Sequence, residues 1–138
     1  RMEIYKIDDK IVIDDYAHHP IEIESVLNTI NSNYKNKSTS VIFQPHLFSR
    51  TRDFMEDFAT ILSKFDEVYL LDIYPAREKP IDGVNSQVLL EKISSSKKEI
   101  INKELINDII INSKTEVISI LGAGNITENL NKKIFTNE

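Results

Sequence analysis

Residues 11–30 read IVIDDYAHHPIEIESVLNTI, and this stretch decides the fold. The apolar run Ile11–Ile13 ends in two acids, as a buried strand ends where the chain reaches a polar edge. Pro20 suits the first turn of a helix, where its missing N–H is not needed, and Glu22 and Glu24 suit that turn's positive end. Ile23, Val26, Leu27 and Ile30 then repeat on one helical face. A strand, a loop and an amphipathic helix in this order lead back to a parallel strand, expected at Ser40–Gln44.

The same alternation extends in both directions. Upstream, Met2–Ile7 is joined to Ile11–Asp14 by three polar residues, too short a link for a crossover, so the first strand is expected as an antiparallel edge in a hairpin. Downstream, Phe54, Phe58, Ile61, Leu62 and Phe65 predict a helix from about Arg50 to Lys64, followed by a strand over Glu67–Asp72. Asn85 or Ser86 caps a helix carrying Val88, Leu89 and Ile93, and Ser94–Lys98 is a polar break. The next stretch is open: a short strand over Glu99–Lys103 and a helix over Glu104–Asn112 is one reading, but an Ile-rich run of this length does not separate strand from helix by period alone. Glu116–Leu121 is a buried strand ending in Gly122-Ala123-Gly124, with Thr127 capping a last helix through Leu130 and Ile134. The class is α/β: a three-layer arrangement of a mostly parallel sheet of about six strands, with helices on both faces.

Composition narrows what such a domain does. The 138 residues are 41% hydrophobic, enough for one core and one domain over 1–138. A net charge of -5, with Lys interspersed among Asp and Glu, argues against a nucleic-acid partner. No apolar run approaches the roughly 20 residues that span a bilayer, so a soluble, cytoplasmic protein without a membrane partner is expected. With no cysteine there is neither a disulfide framework nor a thiolate metal site. The chain opens on Arg1 and enters a strand almost at once, which hints at a fragment of a longer protein.

All three histidines fall in two loops that follow predicted strands, Asp14–Pro20 and Gln44–Thr51. Ligand sites in parallel sheets lie at the carboxyl ends of the strands, so the two loops are expected to meet around one ligand. In the first, Asp15 has two acceptor oxygens suited to the vicinal hydroxyls of a ribose, and His18 offers an N–H to a phosphate or carboxylate. The same residues also read as a capping turn whose histidines bond backbone carbonyls, or as a His-His-Asp metal site, although the spacing does not suit tetrahedral zinc and no metal ligand is assigned. In the second, Ser49 suits the cap of the helix near Arg50. An anion there would meet free N–H groups and the guanidinium, with His46 beside it. Alternatively, Arg50 and Arg52 are solvated charges balanced by Asp53 and Glu56. The loop Asp72–Pro80 carries two prolines and leaves the third parallel strand on the same edge, either lining the site or only connecting. Gly122-Ala123-Gly124 lacks the third glycine of a dinucleotide fingerprint, since Thr127 stands in its place. No Gly-Lys-Ser or Gly-Lys-Thr loop is present to cradle a triphosphate, so ATP chemistry would borrow that loop from elsewhere.

Taken in order, Asp-Asp-Tyr-Ala-His-His-Pro (14–20), Phe-Gln-Pro-His-Leu-Phe-Ser-Arg-Thr (43–51), Asp-Ile-Tyr-Pro-Ala-Arg-Glu (72–78) and Gly-Ala-Gly-Asn (122–125) resemble the third domain of the Mur ligases, in its L-alanine-adding branch. The resemblance implies a Rossmann-like domain that closes over a central ATPase and a UDP-sugar domain, neither of which is contained in this chain. It implies an ATP-dependent amide ligase of peptidoglycan precursor synthesis, with ATP, Mg2+ held mainly by the missing central domain, L-alanine and UDP-N-acetylmuramate as its cofactors and partners. No catalysis is expected from the domain alone. By this resemblance Asp15, Tyr16 and His18 bind the nucleotide, Tyr16 and His18 also facing the amino acid, and His46 and Arg50 bind the amino-acid carboxylate. Many members carry a basic residue directly after the Pro-His pair, where this chain has Leu47, so Arg50 would carry the anion alone. The recycling ligase, which joins a preformed peptide to the same sugar, and a non-catalytic nucleotide-binding module are the alternatives.

Overall fold

The computed structural model describes residues 2–128, 130–131, 133 and 135–137. Among the described residues, seven strands form one sheet: β1 (Glu3–Ile7), β2 (Lys10–Asp15), β3 (Thr39–Phe43), β4 (Glu67–Leu70), β5 (Lys97–Ile100), β6 (Val117–Leu121) and β7 (Thr136–Asn137). Their order is β5-β4-β3-β6-β2-β1-β7. The ladder from β5 to β2 is parallel throughout, and β1 is antiparallel to β2. The expected class and hairpin are therefore present, and the two-residue β7 pairs with the outer edge of β1.

Alternation along the strands sends side chains to two apolar layers. Ile11, Ile13, Val41, Phe43, Val68, Leu70, Val117 and Leu121 pack against α1 (Pro20–Asn33), α3 (Met55–Leu62) and α4 (Ser86–Glu91). Val12, Ile42, Tyr69, Ile118 and Ile120 face α5 (Ile106–Asn112) on the other side. β3, β6 and the apolar centre of β2 are buried on both faces, which is why those stretches are rich in Ile and Val, admit only small hydroxyl residues besides apolar ones, and do not alternate with charges.

Helix starts follow local chemistry. His19 caps α1: its Nδ1 accepts the Ile21 N–H, while the Glu22 carboxylate reaches back to the His19 N–H, with Pro20 in the first turn. Asn85 caps α4 by accepting the Val88 N–H at 2.9 Å. The single helix expected from Arg50 to Lys64 is instead two, α2 (Phe48–Asp53) and α3, separated at Phe54. The apolar period stays in phase through the break because Phe54 N–H still bonds Arg50 O and Phe58 N–H bonds Phe54 O, so periodicity alone does not reveal it. Residues 103–105 form a 3-10 turn before α5. Where a last helix capped by Thr127 is expected, residues 126–128 form a turn, and Ile134 lies outside the described residues.

The connections place the site. The chain leaves β2 through α1 over one face and returns to β6 through α5 over the other, so the carboxyl ends of β2, β6 and β3 lie where the winding reverses. A ligand crevice in an open parallel sheet forms at such a point.

Candidate functional site

Four segments meet at that edge: the loops after β2, β3 and β4 and the glycine turn after β6. The His18 and His46 rings come together edge to face, with centroids 5.8 Å apart, and Tyr74 stacks on the other side of His46 at 5.5 Å and 11°. Arg50, one turn along α2, donates from Nη1 to His46 Nδ1 at 3.2 Å. His18, His46 and Arg50 thus form one cluster, as the placement of the two loops predicts, and Asp15 ends the strand that leads into it.

Partners fix the tautomers. A guanidinium only donates, so His46 Nδ1 accepts and its proton sits on Nε2. Burial, then the Arg50 charge, then His18 hold the His46 pKa below its ordinary 6.5, against a smaller opposing pull from Glu78. His46 is therefore a neutral ring with an outward N–H donor. His18 is the reverse. Its Nδ1 lies 2.7 Å from the Tyr16 carbonyl, which only accepts, so Nδ1 carries a proton and, in the neutral ring, Nε2 presents a lone pair. Glu22 stands 3.4 Å from the same Nδ1 and accepts the backbone N–H groups of His18 and His19, each at 3.0 Å. Burial would raise the Glu22 carboxyl, but the His18 N–H and charge, together with those of His19, outweigh it and hold the pKa below its ordinary value.

Asp15 Oδ1 accepts the Ala17 N–H at 2.9 Å, which orients the carboxylate and leaves Oδ2 for an outside donor. The capping turn is thus real for Asp15 and occupies one of its two oxygens. Tyr16 projects from the loop with 61% of its surface exposed. His19 turns away from the cluster, capping α1 and packing on Phe54 at 4.7 Å.

The start of α2 differs from expectation. Leu47, not Ser49, is the N-cap position, and it supplies no side-chain bond. Ser49 gives its N–H to Glu78 Oε1 at 3.0 Å and its hydroxyl to Glu78 Oε2, and the Phe48 N–H also bonds that carboxylate. The anion at these N–H groups is therefore the protein's own Glu78, and Arg50 is directed to His46 instead. The Ser49 hydroxyl and N–H hold the Glu78 carboxyl below its ordinary value. Arg52 pairs with Asp53 at 2.8 Å and Glu56 with Lys92 at 2.9 Å, so those charges are surface pairs. Among the described residues, Arg50 has no carboxylate partner within ion-pair distance.

The strap over residues 72–78 fixes this geometry. Tyr74 N–H bonds Pro45 O at 2.8 Å, Leu47 N–H bonds Tyr74 O at 2.9 Å, and His46 bridges Tyr74 in parallel fashion beyond the β3–β4 ladder. Leu47, Ala76 and Arg77 all have positive φ (75°, 47° and 78°), so the two strapped loops hold strained backbone. Gly122 and Gly124 are needed for close approach. A Cβ on Gly122 would stand 3.3 Å from Gln44 O, and one on Gly124 would stand 3.2 Å from both Gln44 Oε1 and the Tyr74 ring. Sequence reading did not single out Glu22, Tyr74 or Glu78 as parts of the cluster. The signal for Tyr74 and Glu78 was their loop on the shared edge, and Glu22 gave none beyond a charge near a helix start.

Comparison with known proteins agrees with the motif reading. The family model for "Mur ligase, glutamate ligase domain" matches residues 1–124. The UDP-N-acetylmuramate--L-alanine ligase of Christiangramia forsetii is 53% identical over 130 residues, 93% of this chain and 29% of that protein. The enzyme of the same name from Parabacteroides distasonis is 47% identical over 121 residues, 88% of this chain and 26% of that protein. The chain thus spans under a third of these curated relatives. Among solved structures, the UDP-N-acetylmuramate-alanine ligase of Thermotoga maritima superposes with a TM-score of 0.63 at 28% identity, covering 84% of this chain and 24% of that one. A murein peptide ligase from Psychrobacter arcticus has a TM-score of 0.69 at 17% identity over 96% of this chain and 28% of that one, a likeness of fold alone.

Proposed function

This chain belongs to the Mur ligase family, as its C-terminal glutamate ligase domain, and from that premise we propose that it serves an ATP-dependent ligase joining L-alanine to UDP-N-acetylmuramate in the cytoplasm. The observation that carries the reading is the cluster in which His46 and Arg50 point N–H donors toward the edge where His18 and Asp15 also stand. Such an edge binds a carboxylate on one side and a nucleotide on the other. Asp15, through Oδ2, takes a ribose hydroxyl of ATP, and Tyr16 lies against the nucleotide. His46 Nε2–H and Arg50 hold the carboxylate of alanine, with His18 between the two groups. Leu47 adds no charge, so Arg50 carries the anion with His46 as its only neighbouring donor in the loop.

In this reaction the muramate carboxylate is activated as an acyl phosphate and then attacked by the alanine amine. A domain that shuts over the acyl phosphate keeps water from hydrolysing it. Among the described residues, no group of three His, Asp or Glu side chains is placed to hold a metal ion. The Mg2+ that accompanies ATP, the triphosphate loop and the sugar site are assigned to the remainder of the parent protein, and the chain alone is expected to be inactive.

The test is ATP-dependent phosphate release by the full-length parent, given UDP-N-acetylmuramate with either L-alanine or a preformed tripeptide. Turnover with alanine, falling at least about tenfold in Arg50→Ala, supports the proposal. Preference for the tripeptide would move the chain to the recycling ligase, and no ligation with either would leave a nucleotide-binding module.

A further inference from the structure

The two clustered histidines are held in opposite tautomers, and this polarity assigns them different work. His46 Nδ1 is taken by Arg50 and its Nε2 bears a proton, so it is fixed as a donor. His18 Nδ1 gives its proton to the Tyr16 carbonyl, and Nε2 has no hydrogen-bond partner among the described residues. A carboxylate behind the protonated nitrogen of an imidazole, with the other nitrogen open, is the arrangement of a proton acceptor oriented by a third group. Glu22 occupies that rear position, anchored by two backbone N–H groups so that it does not swing away. The His18 side chain keeps about 30% of its surface exposed on the edge where the substrates are placed, so the open nitrogen belongs to a partly accessible ring.

We propose that His18 Nε2 accepts the proton released by the attacking amine during amide formation, and that Glu22 is its positioning residue. The assignment rests on the amide-ligase reading above and adds a step to it. The amine nitrogen bonds the acyl carbon, the carbon–oxygen bond to phosphate breaks, and its electron pair leaves with the phosphate. The surplus proton on nitrogen passes to His18 Nε2 and from there to solvent. The charged and titratable groups around His18 are Glu22 behind it, His46 across the ring contact, and Arg50 and Glu78 beyond His46. Of the two rings, only His18 has a carboxylate against its protonated nitrogen, so the proton is accepted there while His46 stays a neutral donor to the amino-acid carboxylate.

The experiment compares wild-type, His18→Asn and Glu22→Gln full-length parent. The asparagine amide can keep the bond to the Tyr16 carbonyl and removes the acceptor nitrogen. In His18→Asn, alanine ligation is expected to fall about 100-fold or more in kcat, with the KM for alanine changed less than about threefold. Trapping of the acyl phosphate by hydroxylamine is expected to persist, because that adduct is acidic enough to lose its proton to water. Persistence of trapping also shows that the variant is folded and binds ATP. In Glu22→Gln, kcat for alanine ligation is expected to fall while the KM for alanine and the trapping are kept, because the amide oxygen can still accept the His18 and His19 N–H groups but the anion behind the ring is gone. A parallel loss of trapping and ligation in His18→Asn, or an effect on alanine KM alone, would overturn the proposal. So would a wild-type kcat in Glu22→Gln. A wild-type parent that ligates no alanine defeats the amide-ligase reading itself, which separates that failure from this one.

Discussion

Glu78 shows how one carboxylate organises the binding edge. It takes the N–H groups at the start of α2 that a ligand anion would otherwise approach, and so frees Arg50 to turn toward His46. Its pKa in the folded protein lies below the ordinary 4.5. Below that value the unfolded chain binds the proton first, so Glu78 stabilises the fold above about pH 4.5 and the contribution is lost as pH falls through the folded pKa. In Glu78→Gln, the deficit in Tm relative to wild type should be largest near neutral pH and shrink toward zero in acid, whereas a deficit independent of pH would mean that the charge is irrelevant. Glu22 and Glu116 shift in the same direction, so both proteins still lose stability in acid. At this scale the sequence was legible where chemistry is concentrated: His18, His46 and Arg50 stand in loops that the winding of the sheet brings to one edge. Glu78 was not legible, because its partner Ser49 is 29 residues away and equally suited by type to cap a helix itself.

At the scale of elements, most strands and the starts of α1 and α4 follow from apolar period and capping residues, while β5, which begins at Lys97 inside the expected polar break, and the helix break at Phe54 do not. Phe54 leaves the helix and sets its ring against His19, tying the β3–α3 connection to the first turn of α1. Phe58, one turn on, is fully buried and packs on Phe43 at 5.4 Å. Phe58→Ala should therefore cost about 3–5 kcal/mol in urea unfolding, the range for deleting a buried ring. Phe54→Ala removes a half-buried ring and should cost less, yet it loosens the cap next to His18, so in the parent it should lower ligation out of proportion to stability. Equal stability losses in the two variants would show that the break is merely a joint between two parts of one core helix. The glycine turn teaches a similar lesson. The incomplete fingerprint Gly122-Ala123-Gly124 marks close approach to Gln44 and Tyr74. The spacing signals tightness but not which residues crowd it.

At the scale of the whole molecule, the edge where His18 and His46 meet carries accessible side chains, Tyr16 exposed and His18 partly so. Hollows away from that edge include a groove of about 340 Å³ between α1 and α3 lined by Ile21, Phe54 and Lys64, one of about 280 Å³ beside Lys6 and Tyr34, and another of about 250 Å³ beside Tyr69 and α5. Small-molecule sites normally bury most of the ligand in a concavity, so a cluster on an accessible edge supplies one wall of a site and needs a second. Under the proposed function that wall belongs to the parent protein, and closure brings the two together. The isolated 138-residue chain should then bind ATP weakly. With only a ribose contact and one exposed aromatic available, a dissociation constant in the millimolar range, near -4 kcal/mol, is about what such contacts supply. Backbone amide shifts on titration with ATP should centre on Asp15, Tyr16 and His18 and leave the hollow beside Tyr69 unmoved. Micromolar binding by the chain alone would mean that this edge holds the nucleotide without a second wall, and closure would then serve chemistry rather than affinity.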